Sequence, residues 1–206
     1  MSLTPSALDQ PSPHVVRRDF LPAAEHLAIR DWALAHRRSF VPSLVDHANL
    51  RADIRSSLTA RLPDRGWADT FRTRVLDAVP GLARDLGMAW FAPETIQLSL
   101  IAYNEGDFYR PHVDTETSPD RKSDRVLSAV YYFHTEPKAY SGGELRLHAF
   151  NPASTRFADI APEQNSLLAF ASFARHEVRP VSCPSGRFED SRFAINCWVR
   201  RALPAQ

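Results

Sequence analysis

From about residue 94 onward the chain divides into eight short runs rich in β-branched and aromatic side chains, spanning 95–103, 109–114, 126–134, 144–148, 156–160, 166–171, 175–181 and 191–200. Each run is closed off by glycine, proline or small polar residues. Strands this short and this regularly punctuated fit a two-sheet jelly roll, which removes long exposed edges and leaves one end open for a site. Upstream the pattern changes to helical. Residues 22–38 read as a helix opened by Pro22 at a first-turn position, with Leu27, Trp32 and Ala35 among its apolar residues. A second helix carries Phe71, Val75, Val79, Leu82 and Leu86 at three- and four-residue spacing, with a break or kink expected at Pro80-Gly81. Helices first and strands after predict a mostly β fold with N-terminal helices. The form expected is a double-stranded β-helix, a cupin-like jelly roll braced by helices on one face.

With 206 residues, 44% of them hydrophobic and 24% charged, the chain can bury one real core, so residues 1–206 are read as a single domain. Within it we expect a frayed, Ser- and Pro-rich tail over 1–14, a helical brace over 15–93, the β-helix core over 94–200, and a short tail from Ala202 to Gln206. The formal net charge of +1 comes from 25 basic and 24 acidic side chains. That balance supplies no overall reason to expect a nucleic-acid or membrane partner, although a local basic groove stays open. Arg17-Arg18-Asp-Phe20-Leu21 superficially matches a twin-arginine export signal, but Glu25, Arg30, Asp31, Arg37 and Arg38 interrupt the segment after it. Cys183 and Cys197 are the only cysteines. A lone pair reads as a loop thiol and a buried strand residue in a reduced, cytoplasmic protein, not as a disulfide framework.

The chemistry is concentrated in His112-Val-Asp114. A histidine and a carboxylate two residues apart point the same way from an extended strand and can grip one metal ion. They follow an apolar strand (Ile96, Leu98, Leu100) and a turn at Gly106. A plausible third ligand is His176, which opens a strand-like run after the apolar block Leu167-Leu168-Ala169-Phe170. Two histidines and one carboxylate on one face of a metal leave the opposite positions open, as non-haem Fe(II) oxygenases require. An HxD tripeptide is also compatible with a solvated hairpin edge.

In the last strand Arg192, Ala194, Asn196, Trp198 and Arg200 alternate with Phe193, Ile195, Cys197 and Val199. The polar face either meets water or, if the apolar face packs on the helices, lines the barrel interior. An arginine buried there needs a fixed anionic partner, and a dicarboxylate co-substrate would provide one. Tyr132 falls on the same face as Val126, Ser128 and Val130, and serves either as a core aromatic or as a hydroxyl partner for Arg192. The polar stretch 115–125 is read as a loop, either simply solvated or a lid over the substrate. Gly142-Gly143 lacks the Lys-Ser/Thr of a phosphate loop and is read as a tight turn before strand 144–148. His134 and His148 are read as strand-end or surface histidines, and Trp32, Trp67 and Trp90 as core or helix-packing residues.

Taken in order, Tyr103…Gly106…His112-Val-Asp114, Arg125-Val-Leu-Ser-Ala-Val-Tyr131-Tyr132-Phe, Ser141-Gly142-Gly143-Glu144-Leu145, His176-Glu-Val and Arg192-Phe-Ala-Ile-Asn-Cys-Trp198 resemble the prolyl 4-hydroxylase-type Fe(II)/2-oxoglutarate dioxygenases. The flavour is that of the branch with the hypoxia-factor prolyl hydroxylases and their bacterial relatives. The resemblance covers roughly residues 95–200. It implies that His112, Asp114 and His176 hold Fe(II), and that Arg192, helped by Tyr132, binds the distal carboxylate of 2-oxoglutarate. Tyr103 would line the co-substrate pocket. O2 would be the second co-substrate, and ascorbate the candidate reductant. The stretch from His176 to Arg192 is longer than is usual in that branch, which makes Arg187 a rival anchor. Related halogenases lack the carboxylate that stands here as Asp114, so oxidation without halogenation is expected. The expected substrate is a small molecule, an amino acid or natural-product intermediate. A prolyl residue in a protein comes second and a nucleic acid is not expected. A cupin-like metal-binding module without redox turnover is the alternative from a different class.

Overall fold

Two large antiparallel sheets, a small two-stranded one and two α-helices form the framework of the computed structural model, which describes residues 6–44, 51–63 and 65–203. In chain order the strands are β1 (His14–Arg17), β2 (Val41–Pro42), β3 (Arg55–Ser56), β4 (Leu58–Ala60), β5 (Thr95–Tyr103), β6 (Phe108–His112) and β7 (Ser123–Phe133). They continue with β8 (Ser141–Gly142), β9 (Leu145–His148), β10 (Phe157–Ile160), β11 (Ser166–Ala171), β12 (His176–Val178), β13 (Val181–Ser182) and β14 (Arg192–Ala202). The helices are α1 (Ala23–Ala35) and α2 (Trp67–Asp85). The larger sheet has the order β1-β11-β7-β14-β5-β4-β2, the smaller β10-β9-β12-β6-β3, and β13 pairs with β8. This is the expected jelly roll, mostly β with helices on one face.

Alternation along β7 and β14 explains the layering. Tyr131, Phe133, Phe193, Ile195, Cys197 and Val199 point to the helices and join Ile29, Phe71, Val75, Val79 and Leu82 in the main core. Burying each of these larger side chains stabilises the fold by roughly 1.5–3 kcal/mol. The opposite face of the same strands sends Val130, Tyr132 and Ala194 into the space between the sheets, against Leu145, Leu147, Leu168 and Phe170.

The inward stripe of α1 is His26, Ile29 and Ala33. Leu27, expected among its apolar residues, lies off that stripe and is 41% exposed, and Ala35 is exposed as well. Trp32 meets Trp67 edge-on at 5.6 Å and so joins the two helices, whereas Trp90, read from sequence as a packing residue, is 64% exposed. Pro22 is the N-cap of α1 and not a first-turn residue. Pro80 does not break α2, which runs on to Asp85. It sits on the exposed side, where solvent can take up the carbonyl left without a donor.

Four further expectations are corrected. Residues 6–14, read as part of a frayed end, are tied down: Pro11 bridges to Ala149, and buried Ser12 donates to the His148 carbonyl at 2.7 Å. The stretch 15–93 contributes strands as well as helices. The run 175–181 is two strands, since Pro180 cannot continue the ladder. Lastly, β7 begins at Ser123, inside the stretch read as loop, and carries a bulge. Leu127 pairs with Val199 but Arg125 with Arg200, which leaves Val126 as the extra residue. Val126 therefore packs on the helix side, away from Ser128, Val130 and Tyr132, with which alternation had grouped it. The expected C-terminal tail lies outside the described residues from 204 on.

Candidate metal centre

His112 ends β6 and His176 opens β12, and the two residues are direct cross-strand partners. Their imidazoles consequently lie side by side, with ring centroids 4.2 Å apart. Asp114, two residues beyond His112, is fixed by its backbone N–H, which donates to the Ser172 carbonyl at 2.9 Å just after β11. His112, Asp114 and His176 each bring a ligand atom to within 4.8 Å of the others. Each histidine is oriented in the same way. Nδ1 of His112 faces the Arg110 carbonyl at 2.8 Å and Nδ1 of His176 the Ala174 carbonyl at 2.9 Å. An Nδ1–H donated to a carbonyl leaves Nε2 as the free lone pair, which is the form a metal needs.

Electrostatics favour a neutral His112 and an ionised Asp114. Burial, with the nearby His176, holds the His112 imidazole far below its ordinary range, so it stays neutral. Burial works to raise the Asp114 carboxyl, but His176 and His112 outweigh it, helped by the Ser128 hydroxyl and the Trp198 indole, and the group stays ionised. Ser128 Oγ donates to Asp114 Oδ2 at 2.7 Å and lies 2.9 Å from Ser172 Oγ.

These three side chains open into a cavity of about 800 Å³ between the sheets, lined also by Tyr103, Arg192, Asn196 and Trp198. Arg192 is 1% exposed. Its Nε donates to the Gly143 carbonyl at 2.9 Å, and its guanidinium lies against the rings of Tyr103 and Tyr132 at 5.0 and 4.9 Å. One terminal nitrogen of Arg192 and the Tyr132 hydroxyl are buried without a hydrogen-bond partner among the described residues. Burial pushes the Tyr132 phenol up, so it is a neutral donor. A buried cation with an open N–H in this cavity, with a buried hydroxyl on the ring beside it, calls for an anionic partner. The chain thus fits both an iron held by two imidazoles and a carboxylate and a dicarboxylic co-substrate reaching Arg192. Arg187 is placed elsewhere: it lies in the loop before β14, its side chain 62% exposed and paired with Asp190 at 2.9 Å.

Other residues at the site were not singled out from sequence. Arg125 reaches the cavity because of the bulge at Val126; its guanidinium covers Trp198 at 4.3 Å and meets Glu116 at 3.0 Å. Glu116 also binds Arg200 at 2.7 Å, so the loop 113–122 is fastened across the cavity mouth. Tyr109 stacks on His112 at 3.6 Å, and the Arg55 guanidinium lies over the Tyr109 ring at 4.8 Å. Only Ser128 carried a usable signal, since alternation already placed it beside Tyr132.

Comparison with known proteins agrees with this geometry. The model of the 2OG-Fe(II) oxygenase superfamily matches residues 98–200. An uncharacterised PKHD-type hydroxylase of Synechocystis sp. is 41% identical over 138 residues, covering 64% of this chain and 45% of the relative. A PKHD-type hydroxylase of Pseudoalteromonas atlantica is 32% identical over 103 residues, covering 48% and 42%. The matched stretches thus span less than half the length of these relatives. Among solved structures, a Pseudomonas putida prolyl-4-hydroxylase superposes with a TM-score of 0.69 at 24% identity, covering 93% of this chain and 94% of that one. A Trichoplax adhaerens prolyl hydroxylase in complex with a hypoxia inducible factor peptide fragment gives 0.65 at 22%, covering 95% and 88%. At these identities both establish the fold. Among the described residues no helix is long and apolar enough to cross a membrane.

Proposed function

Because the chain belongs to the 2OG-Fe(II) oxygenase superfamily, we propose that it is an Fe(II)- and 2-oxoglutarate-dependent hydroxylase in which His112, Asp114 and His176 hold the metal. Iron so held supplies the oxidation of a substrate C–H to C–OH, one atom of O2 entering the alcohol and the other the succinate formed as 2-oxoglutarate loses CO2. Arg192 binds the distal carboxylate of 2-oxoglutarate, Tyr132 donates its hydroxyl to the same group, and Tyr103 walls the pocket. The observation that carries this reading is the buried, partnerless terminal nitrogen of Arg192 in the cavity that holds the two histidines and Asp114. A structural metal site has no use for that arginine.

The substrate proposed is a small molecule of the amino-acid class, which the cavity can hold between Arg55, Arg125 and Trp198. A prolyl residue presented by a protein is the second reading, favoured by the exposed apolar side chains Leu44 and Val113 at the cavity's edge. A cytoplasmic setting, in which ascorbate or another reductant keeps the iron ferrous, fits the two buried free thiols Cys183 and Cys197.

Anaerobic titration of the Fe(II)-loaded protein with 2-oxoglutarate tests the reading. A visible metal-to-ligand charge-transfer band is expected, lost in Asp114→Ala, shifted to much higher 2-oxoglutarate concentration in Arg192→Ala and unaffected in Arg187→Ala. A protein that binds the metal yet gives no band is a metal-binding module without redox turnover.

A further inference from the structure

Four arginines line the cavity, and two of them already face a carboxylate: Arg121 has Asp124 at 2.8 Å, and Arg125 has Glu116, shared with Arg200, at 3.0 Å. The other two, Arg192 and Arg55, face no carboxylate among the described residues, and each has a buried terminal nitrogen without a hydrogen-bond partner. Arg192 is accounted for by the co-substrate. Arg55 is not.

We infer that Arg55 is the anchor for a carboxylate on the substrate. This rests on the hydroxylase reading above and adds the chemical class of what is hydroxylated. The position is built. Arg55 is the direct cross-strand partner of Tyr109, and its guanidinium lies over the tyrosine ring at 4.8 Å. The same ring stacks on His112 at 3.6 Å with an interplanar angle of 22°. Tyr109 thus contacts both the guanidinium and an imidazole of the His112, Asp114 and His176 cluster. Nε of Arg55 donates to Ser57 Oγ at 2.9 Å, and Ser57 Oγ in turn donates to Ser43 Oγ at 2.8 Å, so the fork is held before anything binds.

A rigid guanidinium with an open N–H edge inside a cavity selects a planar anion, because a carboxylate satisfies both the charge and the open donor. A neutral amide satisfies only the donor. A substrate held by its carboxylate at Arg55 would lie in the same cavity as His112, Asp114 and His176, which suits an amino acid oxidised on its side chain. The same chemistry would suit an aspartate or glutamate side chain within a peptide.

The test is calorimetric binding to protein loaded with Mn(II) and 2-oxoglutarate, which does not turn over. The probes are the proteinogenic amino acids as free acids and as α-carboxamides, and acetylated, amidated peptides carrying Asp or Glu against their Asn or Gln versions. Acids are expected to bind at least tenfold more tightly than their matched amides. Arg55→Gln should erase that preference and Arg55→Lys retain part of it, while both variants keep the wild-type 2-oxoglutarate charge-transfer titration. Preference confined to free amino acids or to acidic peptides identifies the source of the carboxylate. Equal binding of acids and amides, no binding by any acid, or a preference that survives in Arg55→Gln overturns the inference. Loss of the 2-oxoglutarate band in the wild-type protein would instead overturn the hydroxylase reading.

Discussion

Gly143 and Arg192 occupy one another's space. A β-carbon on the glycine would stand 2.8 Å from Cδ of the arginine, and the glycine's carbonyl accepts from the arginine Nε at 2.9 Å. The glycine also holds φ of +71°, a conformation that costs an L-residue roughly 1–2 kcal/mol. Gly143→Ala is therefore expected to displace the guanidinium and weaken 2-oxoglutarate binding at least tenfold while metal binding persists. Anaerobic titration beside a metal-competition assay checks this. Unchanged 2-oxoglutarate affinity would mean that Arg192 is not the anchor.

Ser128 is expected to act on the metal through Asp114. Removing its hydroxyl takes away the bond that fixes the carboxylate, and loss of such an outer partner typically weakens metal affinity about 10–100-fold. Ser128→Ala should show this for Mn(II) in competition with a chelator, with thermal stability lowered by only about 1 kcal/mol. An unchanged dissociation constant would assign Ser128 to the Ser172 contact alone.

Acid sensitivity should come in part from His26, on the inward stripe of α1. Burial, with Arg30 beside it, holds this imidazole below its ordinary range. Its ring faces the Tyr131 hydroxyl at 2.7 Å, and Tyr131 donates onward to Asn165. The unfolded chain takes up the proton near pH ~6.5, before the folded one does. The stability involved is thus complete above that pH and is lost as the pH falls from there through the lower folded value. Burial lowers His134 as well, and it acts in the same direction. Melting temperatures at pH 7.5 and 5.5 should fall less for His26→Gln than for the wild type. An equal fall would place the acid sensitivity elsewhere.

What could be read from the sequence was whatever is encoded by nearest neighbours along one strand. The limits of β5 and β11 match the apolar runs 95–103 and 166–171 because turn residues bound them on both sides. His112 and Asp114 share a strand end, and Arg192 stands on the polar face of an alternating strand, so local periodicity exposed all three. Arg55 gave no such signal. It lies on a two-residue strand, and its meaning comes from pairing with Tyr109, fifty-four residues away, which no local pattern encodes. Leu27 misled for a related reason: composition cannot say which stripe of a short helix meets the sheet.

The extra residue at Val126 has an effect out of proportion to its size. Side chains on a strand obey a parity, odd on one side and even on the other, and one added residue inverts that parity for everything before it. Arg125 would otherwise share the helix-facing side with Leu127 and Tyr131; inverted, it stands over Trp198 in the cavity. Deleting Val126 would leave Leu127 opposite Val199 and Arg125 opposite Arg200 in an unbroken ladder, and the arginine would keep its place. Drawing Val126 into the ladder instead would carry the arginine across the sheet with no residue changed, so the charge lining the chamber is set by how one strand pairs as well as by what it is made of.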